Sequence, residues 1–86
     1  MSQHTTLKPG DWKDFGTNLI GSTTLFARCA SAGDSVLTYK LVWINATPTS
    51  VTLQAGQPWS TQLGAAAKLL NVTNDGFNDI EVWTDA

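Results

Sequence analysis

The chain is short and carries few charges, and both properties limit what it can be. Eighty-six residues form a single domain and leave no room for a second hydrophobic core. Its five basic and seven acidic residues give a net charge of −2, and the basic residues are scattered along the chain. Nucleic-acid binding needs clustered cations that displace phosphate counterions, so nucleic acid is not expected as a partner.

A domain of this size buries little apolar surface, and small domains usually gain stability from disulfides, a metal ion or a second subunit. Cys29 is the only cysteine and cannot close an intrachain disulfide, and His4 is the only histidine. Without a Cys/His cluster, neither a metal site nor another cofactor is predicted. Association with further copies of the chain is the remaining way to gain stability, so a homo-oligomer is expected.

No segment has the character of a targeting sequence or a membrane span. Residues 1–10 are polar and lack the apolar centre of a signal peptide. The longest strictly apolar run covers only residues 41–44, far too few to cross a bilayer. We therefore expect a soluble protein without a membrane span, located in the cytoplasm or released without a conventional signal peptide.

The N-terminal part of the chain begins without periodicity. Residues 1–10 end in a Pro-Gly turn signal and are expected to be a loose lead-in to a single β domain over residues 11–86. Residues 11–17 fit either a short strand or a single turn. Residues 23–30 are rich in β-forming side chains bounded by turn residues, and they predict a strand.

Residues 36–45 are the strongest candidate strand. Their odd-numbered apolar residues, Trp43 among them, share one face, and the far end of the other face is apolar too. A strand that is apolar on both faces is central or covered on two sides, so Trp43 is assigned to the core. The link over residues 31–35 favours a hairpin between this strand and the preceding one.

The following segments extend the same pattern. Residues 50–55 alternate cleanly, and residues 59–63 continue as a strand after a Gly-Gln-Pro turn. Residues 64–70 contain three alanines and lean toward helix. The predicted fold is all-β: a small antiparallel β-sandwich or barrel-like sheet of five to six short strands, which allows one short helical turn near residues 64–70.

The C-terminal segment predicts a hairpin in which each side chain has a defined face. Residues 69–73 and 79–84 flank the turn sequence Asn-Asp-Gly-Phe-Asn at residues 74–78. A three-residue loop over 74–76 or over 75–77 places the same side chains on each face. The first of these loops places Gly76 in the left-handed conformation. The inward residues are Leu70, Val72, Ile80 and Val82. The outward residues are Leu69, Asn71, Thr73, Asp79, Glu81 and Trp83.

This outward face has the composition of a binding surface. An indole beside carboxylates and amides suits a sugar, since the ring takes the apolar face of a pyranose and the polar side chains take its hydroxyl groups. The same face could anchor a partner subunit, because tryptophan is enriched at the centres of protein interfaces. The candidate residues for ligand binding or an interface are Trp83, Glu81, Asp79, Asn71 and Trp59.

No catalytic or metal-binding residues are predicted. His4 lies in the loose lead-in, and Cys29 sits within a strand, where a buried and unreactive thiol is expected. Asp79 and Glu81 have the two-residue spacing of paired carboxylates, but such pairs on a strand are mostly solvated charges. The oxygen-rich residues 74–79 lack the acid spacing of an EF-hand and are the residue types that a tight turn needs.

The sequence thus predicts a non-enzymatic, oligomeric β-sheet binding module, lectin-like in chemistry, with carbohydrate as the candidate ligand. The alternative is a self-assembling structural protein, such as a shell, fibre or phage-particle component, that binds no small molecule.

Overall fold

The computed structural model describes residues 4–42, 47–64 and 69–86. Within these segments it contains eight strands and no helix, which confirms the all-β prediction and exceeds the expected five or six strands. In chain order the strands are β1 (Thr5–Leu7), β2 (Trp12–Gly16), β3 (Thr23–Cys29), β4 (Ser35–Leu41), β5 (Thr49–Leu53), β6 (Trp59–Leu63), β7 (Leu69–Asn74) and β8 (Ile80–Thr84).

The strands form where apolar residues alternate with polar ones. In β8, Ile80 and Val82 are fully buried, whereas Glu81 and Trp83 between and beside them are half-buried. β7 alternates in the same way, because successive side chains of a strand point to opposite faces. Three further segments for which a strand was predicted or allowed, residues 11–17, 23–30 and 59–63, contain β2, β3 and β6. The predicted strand over residues 50–55 covers β5 except for its first residue, Thr49.

The strands are arranged in two antiparallel sheets. One sheet has the order β1-β8-β3-β6 and the other has the order β2-β7-β4-β5. Each strand of the first half of the chain therefore pairs with its mirror-image strand in the second half: β1 with β8, β2 with β7, β3 with β6 and β4 with β5. A chain that is paired in this way and wound into two sheets is a jelly roll, an eight-stranded kind of β-sandwich.

The hydrophobic core lies between the sheets and draws on both of them. Its buried members are Leu7, Leu25, Ala27, Ile80 and Val82 from one sheet and Phe15, Leu37, Leu53, Leu70 and Val72 from the other. The inward parity predicted for the C-terminal segment is confirmed, since its four predicted inward residues all have an exposure of 0%. Each larger aliphatic side chain buried here contributes about 1.5–3 kcal/mol to folding.

Both predicted hairpins are wrong, and the reason is topological. Residues 30–34 connect β3 to β4, and residues 75–79 connect β7 to β8, but in each case the two strands belong to different sheets. Among the described strands, β4 and β5 are the consecutive ones that pair with each other. A turn sequence marks where the chain reverses direction, and the chain reverses equally when it crosses between the two sheets of a sandwich.

Three other expectations are changed by the structure. Within the expected loose lead-in, Thr5–Leu7 forms β1 and pairs with β8, and Leu7 is only 3% exposed. The helix-leaning segment at 64–70 runs into β7, which begins at Leu69; its residues 65–68 lie outside the described residues. Trp43, assigned to the core, also lies outside them.

The loop between β7 and β8 is held by the buried side chain of Asn74. Its Oδ1 accepts hydrogen bonds from Ser35 Oγ at 2.9 Å and from the backbone N of Gly76 at 3.0 Å. Its Nδ2 donates to the backbone oxygens of Leu7 and Asn78, both at 2.8 Å. One amide therefore links the loop to strands of both sheets, as expected if this oxygen-rich segment serves as a turn.

Gly76 is needed in this loop for a reason other than the predicted one. Its backbone is not left-handed; the described glycines with positive φ lie elsewhere in the chain. A Cβ at Gly76 would instead overlap Ser35 Oγ and the backbone N of Val36. The glycine thus allows the loop to approach the start of β4 closely.

Candidate functional site

Among the described residues, each sheet presents one tryptophan on its outward face. Trp12 belongs to the edge strand β2, and Trp83 belongs to β8 in the other sheet. We call the residues around the first the Trp12 surface: Trp12, Asp14, Lys40, Val42, Asn71 and Thr73. We call the residues around the second the Trp83 cluster: His4, Phe26, Arg28, Glu81 and Trp83.

The Trp12 surface is assembled by three neighbouring strands. Asp14 of β2 lies opposite Asn71 of β7, and Asn71 lies opposite Lys40 of β4. Trp12 lies opposite Thr73, one outward position further along β7. Because outward side chains recur at every second residue, these side chains form two adjacent rows across the sheet.

The polar groups of the Trp12 surface are joined by hydrogen bonds. Asn71 Nδ2 donates to Asp14 Oδ1 at 2.8 Å, and Thr73 Oγ1 donates to Asn71 Oδ1 at 3.3 Å. These bonds orient a carboxylate, an amide and a hydroxyl along one side of an open depression of about 400 Å³. Groups that are already oriented lose less conformational entropy when a ligand binds.

Exposed apolar side chains lie at two ends of the same depression. The side chain of Trp12 is 62% exposed, and that of Val42 is 48% exposed. Val42 follows β4 at the level of Leu69, two outward positions along β7 from Trp12. Lys40 and Asp14 are also exposed and bring opposite charges to the surface. An exposed aromatic ring next to oriented donors and acceptors suits a sugar, which has both an apolar C–H face and a rim of hydroxyl groups.

The Trp83 cluster is organised differently, because its aromatic rings contact one another. The ring of His4 stacks on Trp83 with centroids 3.9 Å apart and planes inclined by 18°. The ring of Phe26 lies nearly parallel to Trp83, at 5.6 Å and 9°. Since β1 and β3 flank β8, these two rings approach the indole from opposite sides.

The charged groups of the Trp83 cluster also bind one another. Glu81 Oε1 lies 2.9 Å from Arg28 Nε, which donates to it, and 3.1 Å from His4 Nδ1. The guanidinium of Arg28 lies 5.7 Å from the ring centroid of Trp83. Trp83 therefore stands on the outward face as predicted, but its ring and its polar neighbours are engaged within the chain.

The predicted site residues are thus divided between the two sheets. Trp83 and Glu81 lie together, whereas Asn71 lies on the outward face of the other sheet beside Asp14. Asp79 lies in the loop before β8, where its backbone oxygen accepts a hydrogen bond from the N of Ala30 at 2.9 Å. The outward face predicted to hold all of them does not exist, because β7 and β8 do not pair.

Trp59 lies at the start of the edge strand β6. It is opposite the buried residue Ala27, so its side chain belongs to the inward side of the sheet. Its ring centroid is 5.8 Å from that of Tyr39 in the facing sheet. Trp59 is half-buried against the core and also borders a depression of about 270 Å³ beside the Trp83 cluster.

The residue that the sequence prediction missed is Trp12. The signal available for it is the two-residue spacing of Trp12 and Asp14, which places both on one face if residues 11–17 form a strand. The remaining members of the surface come from distant parts of the chain: Lys40, Val42, Asn71 and Thr73. Only the strand order brings them to Trp12.

Cys29 lines a separate depression of about 310 Å³ together with Arg28 and the turn before β6. Its Sγ donates a hydrogen bond to the backbone oxygen of Leu53 at 3.2 Å. Burial raises the pKa of the Cys29 thiol above its ordinary value, and the negative charge of Asp34 raises it further, against the lowering effect of a backbone hydrogen bond at Ser35. A raised pKa keeps the thiol protonated and weakly nucleophilic at neutral pH.

In the described segments, no group of three or more His, Cys, Asp or Glu side chains could hold a metal ion. Nor do those segments contain a helix with the length and apolar character to cross a membrane. Comparison of the chain with known proteins matched no family model, no curated protein and no solved structure.

Proposed function

We propose that the chain is a lectin-like, non-enzymatic module that binds carbohydrate at the Trp12 surface. The observation that carries this proposal is the 62% exposed side chain of Trp12 beside the hydrogen-bonded side chains of Asp14, Asn71 and Thr73. In the bound state a sugar ring lies with its C–H face against the indole. Its hydroxyl groups donate to the carboxylate of Asp14 and accept from the ammonium of Lys40.

The fold by itself does not choose between the candidate functions. Jelly rolls include both lectin domains and capsid domains, so the choice must come from the chemistry of the site. A subunit contact centred on Trp12 would bury Asp14 and Lys40, and charged residues are depleted at the centres of such contacts. The polar row beside the indole favours a hydroxyl-rich ligand over the structural alternative.

We also propose that the module acts as a homo-oligomer. The domain is small, and the open Trp12 surface offers one sugar ring a limited contact area. Copies joined in one assembly bind a multivalent glycan with much higher avidity than one copy does.

A glycan array followed by titration calorimetry tests the binding proposal. The wild-type protein is expected to bind a defined set of glycans. Trp12→Ala is expected to weaken that binding by about thirtyfold or more, which corresponds to about 2 kcal/mol for a central aromatic contact. Asp14→Asn and Asn71→Ala should weaken it to a smaller extent.

Trp83→Ala is the matched control, since it removes a tryptophan from the outward face of the other sheet. This variant should keep wild-type affinity once circular dichroism shows that it is folded. Loss of binding in Trp83→Ala together with normal binding in Trp12→Ala would refute the site. If the wild-type protein binds no glycan on the array and light scattering detects large particles, the self-assembling structural protein is favoured instead.

A further inference from the structure

The two sheets have four edge strands, and these edges differ in how they are protected. An exposed strand edge pairs readily with another chain unless it is short, charged or interrupted by proline. β1 has only three residues and is followed by Lys8 and Pro9. β2 carries Lys13 and Asp14, with Lys13 on the inward side opposite Val72. Both of these edges therefore have features that prevent pairing with another chain.

The other two edges have no such charges. β5 and β6 both come from residues 41–67, a stretch that contains no charged side chain and no histidine. Among the residues that the structure describes, neither strand has a neighbour on its outer side. Each is preceded by a proline, Pro48 or Pro58, but the strands themselves contain none.

Only β6 is self-complementary about a two-fold axis. An antiparallel copy centred on Thr61 places Ser60 opposite Gln62 of the second copy, and Trp59 opposite Leu63 of the second copy. Ser60 and Gln62 are exposed and outward, whereas Trp59 and Leu63 are half-buried and inward. Exposed polar side chains therefore meet exposed polar side chains across the axis, and half-buried apolar side chains meet half-buried apolar ones. This is the self-complementarity that a symmetric dimer contact requires.

β5 does not have this property. The same operation centred on Val51 places the exposed Thr49 opposite Leu53, which is 1% exposed and already belongs to the core of its own sheet. The exposed Thr49 and the buried Leu53 therefore do not match across a two-fold axis. The comparison singles out β6 among the four edges.

We propose that two copies of the chain associate through antiparallel pairing of their β6 strands about Thr61. The two four-stranded sheets then join into one continuous sheet. Backbone groups on the outer side of β6, which face no other strand among the described residues, gain partners in this arrangement. This inference rests on the proposed homo-oligomer and is independent of carbohydrate binding. The Trp12 surface lies on the other sheet, so each copy keeps its proposed binding site open.

Sedimentation equilibrium at micromolar concentration tests the proposal with two charged variants. Ser60→Lys/Gln62→Lys places lysines opposite each other across the axis and should weaken dimerisation about tenfold or more, since like charges directly opposite are destabilising. Ser50→Lys/Thr52→Lys introduces the same charges at exposed positions of β5 and should leave the dimer unchanged. Mixing the β6 lysine variant with Ser60→Glu/Gln62→Glu should restore association as a heterodimer.

Amide hydrogen exchange of the wild-type protein gives a second readout that needs no substitution. Protection of β6 amides should increase with protein concentration, whereas protection of β5 amides should not. A β6 lysine variant that dimerises like the wild type, or β6 amides whose exchange is independent of concentration in an oligomeric sample, would overturn the proposed interface. A wild-type protein that is monomeric throughout would overturn the homo-oligomer as well, and glycan binding would still be judged separately.

Discussion

Replacement of Asn74 by alanine should strongly destabilise the fold. Asn74 is 0% exposed, and its amide bonds the backbone of Leu7 in one sheet, Ser35 in the other, and the loop residues Gly76 and Asn78. Alanine removes all four bonds and leaves their partners near the core. A buried polar group that loses its partner costs more than the bond itself contributes to stability.

The stability lost in Asn74→Ala depends on which hydrogen-bond partners of Asn74 can form another bond. Ser35 Oγ also lies 2.9 Å from the backbone oxygen of Asn78, so these two groups can satisfy each other without Asn74. The carbonyl of Leu7 and the amide of Gly76 each lose the bond that Asn74 provides. At about 1–3 kcal/mol for each such group, the expected loss is about 2–6 kcal/mol. That is a large part of the 5–15 kcal/mol that stabilises a typical domain.

Urea unfolding followed by circular dichroism and tryptophan fluorescence measures this loss. Asn71→Ala is the matched control, because Asn71 lies in the same strand but points outward and bonds only surface groups in the described structure. Its free energy of unfolding should stay within about 0.5 kcal/mol of the wild-type value. If Asn74→Ala were no less stable than Asn71→Ala, the assignment of Asn74 as the link between the sheets would be refuted.

Three further predictions concern individual side chains. Gly76→Ala should lower the free energy of unfolding by about 1–3 kcal/mol, because its Cβ would overlap the start of β4. Gly16→Ala has open space around the new Cβ and should cost little, and the urea midpoints of the two variants test the difference. Alkylation of Cys29 by iodoacetamide should be slower than that of a free cysteine at neutral pH and should accelerate as the pH rises toward its raised pKa. Equal rates at pH 8 would argue against a raised pKa for this half-buried thiol. His4→Ala should remove the stack on Trp83 and cost about 0.5–1.5 kcal/mol, and an unchanged unfolding midpoint would show that the stack adds no stability.

Alternation along the chain was enough to predict which sides of β7 and β8 face the core. Alternation in residues 69–73 and 79–84 correctly assigned Leu70, Val72, Ile80 and Val82 to the interior. This works because successive side chains of any strand point to opposite faces, whatever its neighbours are. The outward position of Trp83 follows from the same rule.

Which strands are neighbours could be read only from the folded molecule. A hairpin and a crossing between two sheets use the same reversing turn and preserve the same alternation, so the pattern along the chain does not distinguish them. Asn71 therefore lies beside Asp14 and near Trp12, and not beside Trp83 as the predicted hairpin required. Members of a surface come from strands far apart in sequence, and only the pairing of mirror-image strands in the jelly roll brings them together.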